Sequence, residues 1–91
     1  RCDISGTEGD DVLQGTSGSE IICGFGGNDR IIAKAGDDVL KGHDGDDVLK
    51  GQGGDDQLRG GPGEDSLDGG PGRDDCDASP GTNDVESNCE T

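Results

Sequence analysis

The sequence predicts an all-β protein, a solenoid of nine stacked nonapeptides, and three observations carry that prediction. Gly-Asp-Asp-Val-Leu-Lys-Gly occurs twice between Gly36 and Gly51, offset by nine residues. Registered on that unit, residues 6–86 divide into nine consecutive nonapeptides without insertion or deletion, with glycine at the fourth position every time. The sixth position is a carboxylate in eight of the nine units, and the eighth is aliphatic or cysteine in all of them, from Leu13 through Leu40 to Val85. A disordered chain has no reason to hold such a register, whereas stacked supersecondary units require it.

Within each unit the first six residues favour turns and the last three favour a strand, as in Val12-Leu13-Gln14, Val39-Leu40-Lys41 and Val48-Leu49-Lys50. The middle residue of such a strand faces opposite to its neighbours, so the eighth position points inward. Two units then close one coil, with strands of odd units in one parallel sheet and strands of even units in the other. Residues 1–5 form an N-terminal cap carrying Cys2. Units one and two, GTEGDDVLQ and GTSGSEIIC, are imperfect, with Glu20 where Asp is usual and Ser19 at the fifth position. Residues 24–59 are the regular centre. Units seven and eight put Pro62 and Pro71 at the third position, where a residue without an amide hydrogen still offers its carbonyl. The ninth unit, ASPGTNDVE, lacks the first glycine and the carboxylate and reads as a closing cap, followed by residues 87–91 with Cys89. The chain is thus expected to be one domain over 1–91.

Composition sets limits on what this solenoid can do. An apolar content of 24% with one aromatic residue, Phe25, cannot build an ordinary core, and a net charge of −15 opposes compaction. Something beyond the core must therefore stabilise the fold. Four cysteines in 91 residues point to two disulfides and an oxidising, extracellular setting. With a single histidine and no Cys-x-x-Cys, structural zinc is not expected. No apolar run reaches membrane length, and a chain starting at Arg1 is expected to be a mature or trimmed product, with one module of a larger secreted protein as the other reading. The bases Arg30, Lys41, Lys50 and Arg59 fall at seventh or ninth positions, on the outer sheet faces, while most carboxylates fall in the turns.

The units GFGGNDRII, GHDGDDVLK, GQGGDDQLR and GGPGEDSLD resemble GGxGxDxUx, the repeat of the RTX (repeats-in-toxin, haemolysin-type) calcium-binding proteins. That resemblance covers nearly the whole chain and implies a right-handed parallel β-roll with calcium between each turn and the turn two units later. It further implies that the earlier turn supplies its second- and fourth-position carbonyls and sixth-position carboxylate. The later turn would supply first- and third-position carbonyls and its own sixth-position carboxylate. Carried onto this chain, one site combines Phe25, Gly27 and Asp29 with Gly42, Asp44 and Asp47, and the next on that edge His43, Gly45 and Asp47 with Gly60, Pro62 and Asp65. On the other edge Lys34, Gly36 and Asp38 meet Gly51, Gly53 and Asp56, and then Gln52, Gly54 and Asp56 meet Gly69, Pro71 and Asp74. Three outer sites follow by the same rule. Thr7, Gly9 and Asp11 would pair with Gly24, Gly26 and Asp29; Thr16, Gly18 and the longer carboxylate Glu20 with Ala33, Ala35 and Asp38; and Gly61, Gly63 and Asp65 with a ninth turn holding Asn83. Five to seven calcium ions are implied. The chemistry agrees: calcium takes six to eight oxygens in irregular geometry, which strictly octahedral magnesium does not. Glycines at the first and fourth positions are expected to supply positive φ and turn carbonyls inward.

Other functions find little purchase. No EF-hand loop or phosphate-binding loop is present. The paired aspartates lie in turns without the cleft that acid/base catalysis needs, so no enzyme activity is expected. A Thr-rich adhesive or ice-binding face is the alternative, but its row holds only Thr7 and Thr16 before ending at Phe25. A nucleic-acid mimic is disfavoured because bound calcium would cancel much of the charge, and a monomer is expected. Solenoid geometry also selects the disulfides. Cys23 and Cys76 stand three coils apart, about 14 Å, whereas a disulfide needs Cα atoms within about 7 Å. The remaining pairing is Cys2 with Cys23, reached from outside the sheet, and Cys76 with Cys89, folded over the open end of the core.

Overall fold

The computed structural model describes residues 2–77, 85–87 and 89. Its strands are short and follow the repeat: β1 (Ile4–Ser5), β2 (Val12–Gln14), β3 (Ile21–Cys23), β4 (Arg30–Ile32), β5 (Val39–Lys41), β6 (Val48–Lys50), β7 (Gln57–Arg59), β8 (Ser66–Asp68), β9 (Asp75–Asp77) and β10 (Val85–Ser87). They alternate between two parallel sheets, ordered β1-β3-β5-β7-β9 and β10-β8-β6-β4-β2. Neighbours within a sheet are offset by two units, as in Ile22↔Leu40 and Ile31↔Leu49.

The register places one inward residue per strand. Ile22, Ile31, Leu40, Leu49, Leu58 and Leu67 are fully buried and stack between the sheets, with Cys76 at one end. Ile4, Leu13 and Cys89 cover this column in part. Because each strand contributes a single side chain, the core is one residue wide, and the turns carry the remainder of the interior.

Both disulfides close as the geometry requires, Cys2–Cys23 with Cα atoms 5.9 Å apart and Cys76–Cys89 with 5.8 Å. Cys23, placed by the sequence on an outer face, is nevertheless only 1% exposed, because the segment bearing Cys2 lies over it.

The ends depart from the nonapeptide frame in two ways. Residues 4–5 are a strand rather than a simple cap: Ile4 pairs with Ile22 and Ser5 with Cys23, a partial unit one coil before unit two. At the other end β10 is shifted by one residue, with Val85 opposite Ser66 and Glu86 opposite Leu67, where the frame puts Val85 opposite Leu67. Unit four keeps the frame with Ala33 at its first position, but the ninth unit lacks the sixth carboxylate as well as the first glycine, so register there is weakly specified. The rest of the expected closing cap, 78–84 with Asn83, lies outside the described residues.

Candidate metal centre

The turns of units three to eight share one backbone conformation. The second position is left-handed in each, at Phe25 (φ 68°), Lys34 (70°), His43 (66°), Gln52 (63°), Gly61 (80°) and Gly70 (76°). The fourth is left-handed at Gly27, Gly36, Gly45, Gly54, Gly63 and Gly72. Four of the second-position residues carry side chains, a conformation that costs on the order of 1–2 kcal/mol each. The first-position glycines do not adopt positive φ, contrary to the sequence expectation. They are needed for space instead: a Cβ on Gly42 or Gly51 would stand 2.5 Å from Oδ2 of Asp47 or Asp56.

The alternating conformation turns carbonyls toward the next coil. A Cβ on Gly61 or Gly70 would meet the His43 or Gln52 carbonyl oxygen at 2.8 or 2.9 Å, and one on Gly45 or Gly63 would strike the Gly27 or Gly45 oxygen. From the later side, a Cβ on Gly24 would lie 3.2 Å from the Gly42 oxygen. First-, second- and fourth-position carbonyls thus face the space between turns. Among the described residues, the backbone hydrogen bonds of turns and strand ends use carbonyls of the sixth, seventh and ninth positions and leave those of the first four unused. The third-position residues Gly26, Ala35, Asp44, Gly53, Pro62 and Pro71 occupy the apices between the two left-handed residues.

The sixth-position carboxylates stand in two buried columns. Asp29, Asp38, Asp47, Asp56, Asp65 and Asp74 are each no more than 2% exposed. Each uses Oδ1 to accept the sixth-position amide N–H of the turn two units earlier: Asp29 from Asp11, Asp47 from Asp29 and Asp65 from Asp47 on one edge. Asp38 accepts from Glu20, Asp56 from Asp38 and Asp74 from Asp56 on the other, all six bonds at 2.7–2.9 Å. Oδ2 of Asp29, Asp38, Asp47 and Asp56 is buried with no hydrogen-bond partner. Burial, opposed by the donated amide and reinforced by neighbouring carboxylates, pushes Asp47 and Asp56 up to about 7 and Asp38 up to about 6. Asp29 is raised for the same reasons. Dry carboxylates in file repel one another and lack the hydration that ionisation needs, so the columns call for a cation. Among the described residues no three His, Cys, Asp or Glu side chains gather at one point, so backbone oxygens must supply most of any ligand shell. Two carboxylates with several carbonyls is a hard, oxygen-only donor set of the kind calcium takes.

The opening turns differ. Thr7 and Thr16 are not left-handed, nor are Gly9 and Gly18. Thr7 donates its amide N–H to Asp11 at 2.6 Å, and Thr16 donates its own to Glu20 at 3.2 Å; the Thr16 hydroxyl also meets Glu20. Those hydrogen bonds hold the Glu20 carboxyl below the usual range. Asp11 and Glu20 are half-buried with their charge already satisfied, so the structure does not give these outer turns the geometry of the central ones. The Thr7 hydroxyl likewise donates to Asp11, so both threonine hydroxyls are engaged by the carboxylate of their own turn.

Sequence reasoning missed the fifth position, which holds a second ladder. Asp10 accepts the Asn28 amide N–H, Asn28 that of Asp46, and Asp46 that of Glu64. Ser19, Asp37 and Asp55 do the same for Asp37, Asp55 and Arg73. The available signal was the run of short acceptor side chains at that position through unit six. Sixth-position ladders reach back to the earlier turn while fifth-position ladders reach forward, so adjacent turns are fastened reciprocally.

A family model for the RTX calcium-binding nonapeptide repeat, four copies, matches residues 3–24, 24–58 and 50–85. Comparison with curated proteins finds no match.

Proposed function

The chain belongs to the RTX calcium-binding nonapeptide repeat family, and on that premise we propose that it is a non-catalytic extracellular module that folds on taking up calcium. The observation that carries the reading is the buried carboxylate file whose Oδ2 atoms lack partners at Asp29, Asp38, Asp47 and Asp56. Among the described residues, four sites have the full set of left-handed turns and buried carboxylates. On one edge they are held by Phe25, Gly27 and Asp29 with Gly42, Asp44 and Asp47, and by His43, Gly45 and Asp47 with Gly60, Pro62 and Asp65. On the other they are held by Lys34, Gly36 and Asp38 with Gly51, Gly53 and Asp56, and by Gln52, Gly54 and Asp56 with Gly69, Pro71 and Asp74. Calcium bound there supplies the positive charge that the columns lack.

The outer sites at Asp11 and Glu20 are weaker in this reading, because Thr7 and Thr16 already occupy their carboxylate oxygens with hydrogen bonds. Four tight ions, with further weak ones, is the stoichiometry we assign within the five to seven that the repeat implies. The two disulfides support an extracellular location. Among the described residues no helix is long and apolar enough to cross a membrane. We assign a monomer, since both ends are covalently capped.

The test is far-UV circular dichroism of the oxidised protein during a calcium titration from chelator. A steep, cooperative gain of β signal is expected, with magnesium ineffective at equal concentration. A chain fully β-rich in chelator would overturn folding on calcium, and no saturable calcium uptake in equilibrium dialysis would overturn the module itself.

A further inference from the structure

Second-position side chains of the odd units line one edge in the order Thr7, Phe25, His43, Gly61. Phe25 and His43 stack, with ring centroids 5.2 Å apart and planes within 2°. The next place in the file is blank: Gly61 is left-handed and a Cβ there would lie 2.8 Å from the His43 carbonyl oxygen, so no side chain fills it. Beside it opens a cavity of about 320 Å³ lined by Lys41, His43, Asp44, Arg59, Gly61 and Pro62. Lys41 and Arg59 are register partners on β5 and β7, so two cations stand side by side at one wall. Arg59 also meets Asp75 at 3.8 Å, a loose surface pair that leaves most of its five donors for another acceptor.

We propose that this cavity binds a small planar aromatic ring bearing an anionic group. The ring continues the Phe25–His43 stack over Gly61 and against Pro62, and the anion meets Lys41 and Arg59. Asp44 disfavours a second negative charge and accepts a hydrogen bond from a ring N–H or hydroxyl. The chain's net charge of −15 works against an anion at long range. Physiological salt screens that field beyond about 8 Å, whereas contact with the two cations is not screened away. The volume lies at the small end of ligand pockets, so one or two fused rings fit and low-millimolar binding is expected.

The composition makes the test direct, because Phe25 and His43 are the sole Phe and His in a chain without Trp or Tyr. Proton NMR of the oxidised protein in saturating calcium would follow both rings during titration with indole-3-acetate, with tryptamine and acetate as comparators. Saturable ring-current shifts are expected for indole-3-acetate, with tryptamine and acetate at least about tenfold weaker, roughly 1.4 kcal/mol. Lys41→Gln and Arg59→Gln should each weaken binding several-fold while Lys50→Gln, on the other sheet, leaves it unchanged. Amide dispersion reports whether each variant keeps the calcium-loaded fold, and the two variants serve independently. Equal binding of tryptamine, absence of a saturable shift, or the same loss in Lys50→Gln would overturn the proposal without touching calcium binding.

Discussion

Replacing Asp47 by Asn should have effects of opposite sign with and without calcium. Asn keeps an oxygen to accept the Asp29 amide N–H, now bonded at 2.8 Å, so the ladder survives while the charge is lost. In the calcium-free fold Asp47 is 1% exposed and its carboxyl is pushed up to about 7, from 3.8 in the open chain. A raised folded value means that the folded form holds its proton after the unfolded form has released it. Stability of the empty fold therefore falls as pH rises from about 4 to about 7, and above that the penalty is complete, on the order of 4 kcal/mol as an upper figure. Asp47→Asn removes that penalty, so in chelator at pH 7.5 the variant should need less trimethylamine N-oxide to fold than the parent. In calcium the sign reverses, because Asp47 serves two sites and each keeps one carboxylate. About tenfold lost per site makes roughly 3 kcal/mol across the two. Asp11→Asn touches one site, and its carboxylate is already held by Thr7, so the loss there should be tenfold or less. Isothermal titration and urea unfolding in saturating calcium measure both variants. Equal losses for Asp11→Asn and Asp47→Asn would refute the sharing of carboxylates between successive sites, and a higher osmolyte requirement in chelator would refute the burial argument.

Two neighbouring glycines should respond in opposite ways. At Gly53 nothing lies within 4 Å of a Cβ and φ is not positive, so Gly53→Ala should be neutral or stabilise by about 0.5–1 kcal/mol. Gly54 has φ +92° and a Cβ would strike the Gly36 carbonyl oxygen, so Gly54→Ala should raise the calcium midpoint in circular dichroism at least tenfold. Acidification separates two histories of the empty chain: released from an unfolded apo chain, calcium should leave only as pH falls toward about 4. A calcium-free chain that stays folded would instead begin to lose calcium affinity once pH falls below the Asp47 and Asp56 values of about 7. A calcium electrode during acid titration at fixed total calcium reads where that weakening begins.

Most of the fold was legible because one side chain per unit does one job. The alternation of Val39, Leu40 and Lys41 fixes which residue is inside, and the eighteen-residue spacing of Leu40 and Leu58 fixes which strands are neighbours. The period of the sixth-position carboxylate was legible too, since an acid recurring in a turn at every ninth residue suits a cation held by those turns. Three features were hidden for physical reasons. Left-handed φ at Phe25, Lys34, His43 and Gln52 has no residue-type signature, because the turn imposes a conformation that these side chains disfavour. The fifth-position ladder uses ordinary polar residues whose partners are backbone amides, invisible to side-chain pattern. At the closing end the one-residue shift of β10 arises where the pattern itself fades, at Ala78 and Asn83.

Each bridge joins a terminus to a strand of the same sheet stack, Cys2 to Cys23 and Cys89 to Cys76. Tension applied to the outermost residues therefore bypasses the end strands and arrives through covalent bonds at positions 23 and 76. Between those points the pull runs across stacked turns that are stitched to each other in both directions. The first coil cannot be peeled away by itself, which is how a spring with open ends would yield. A solenoid built this way gives under load as one block or holds, and its compliance is set by the amide stitches between coils rather than by the thin column of aliphatic side chains.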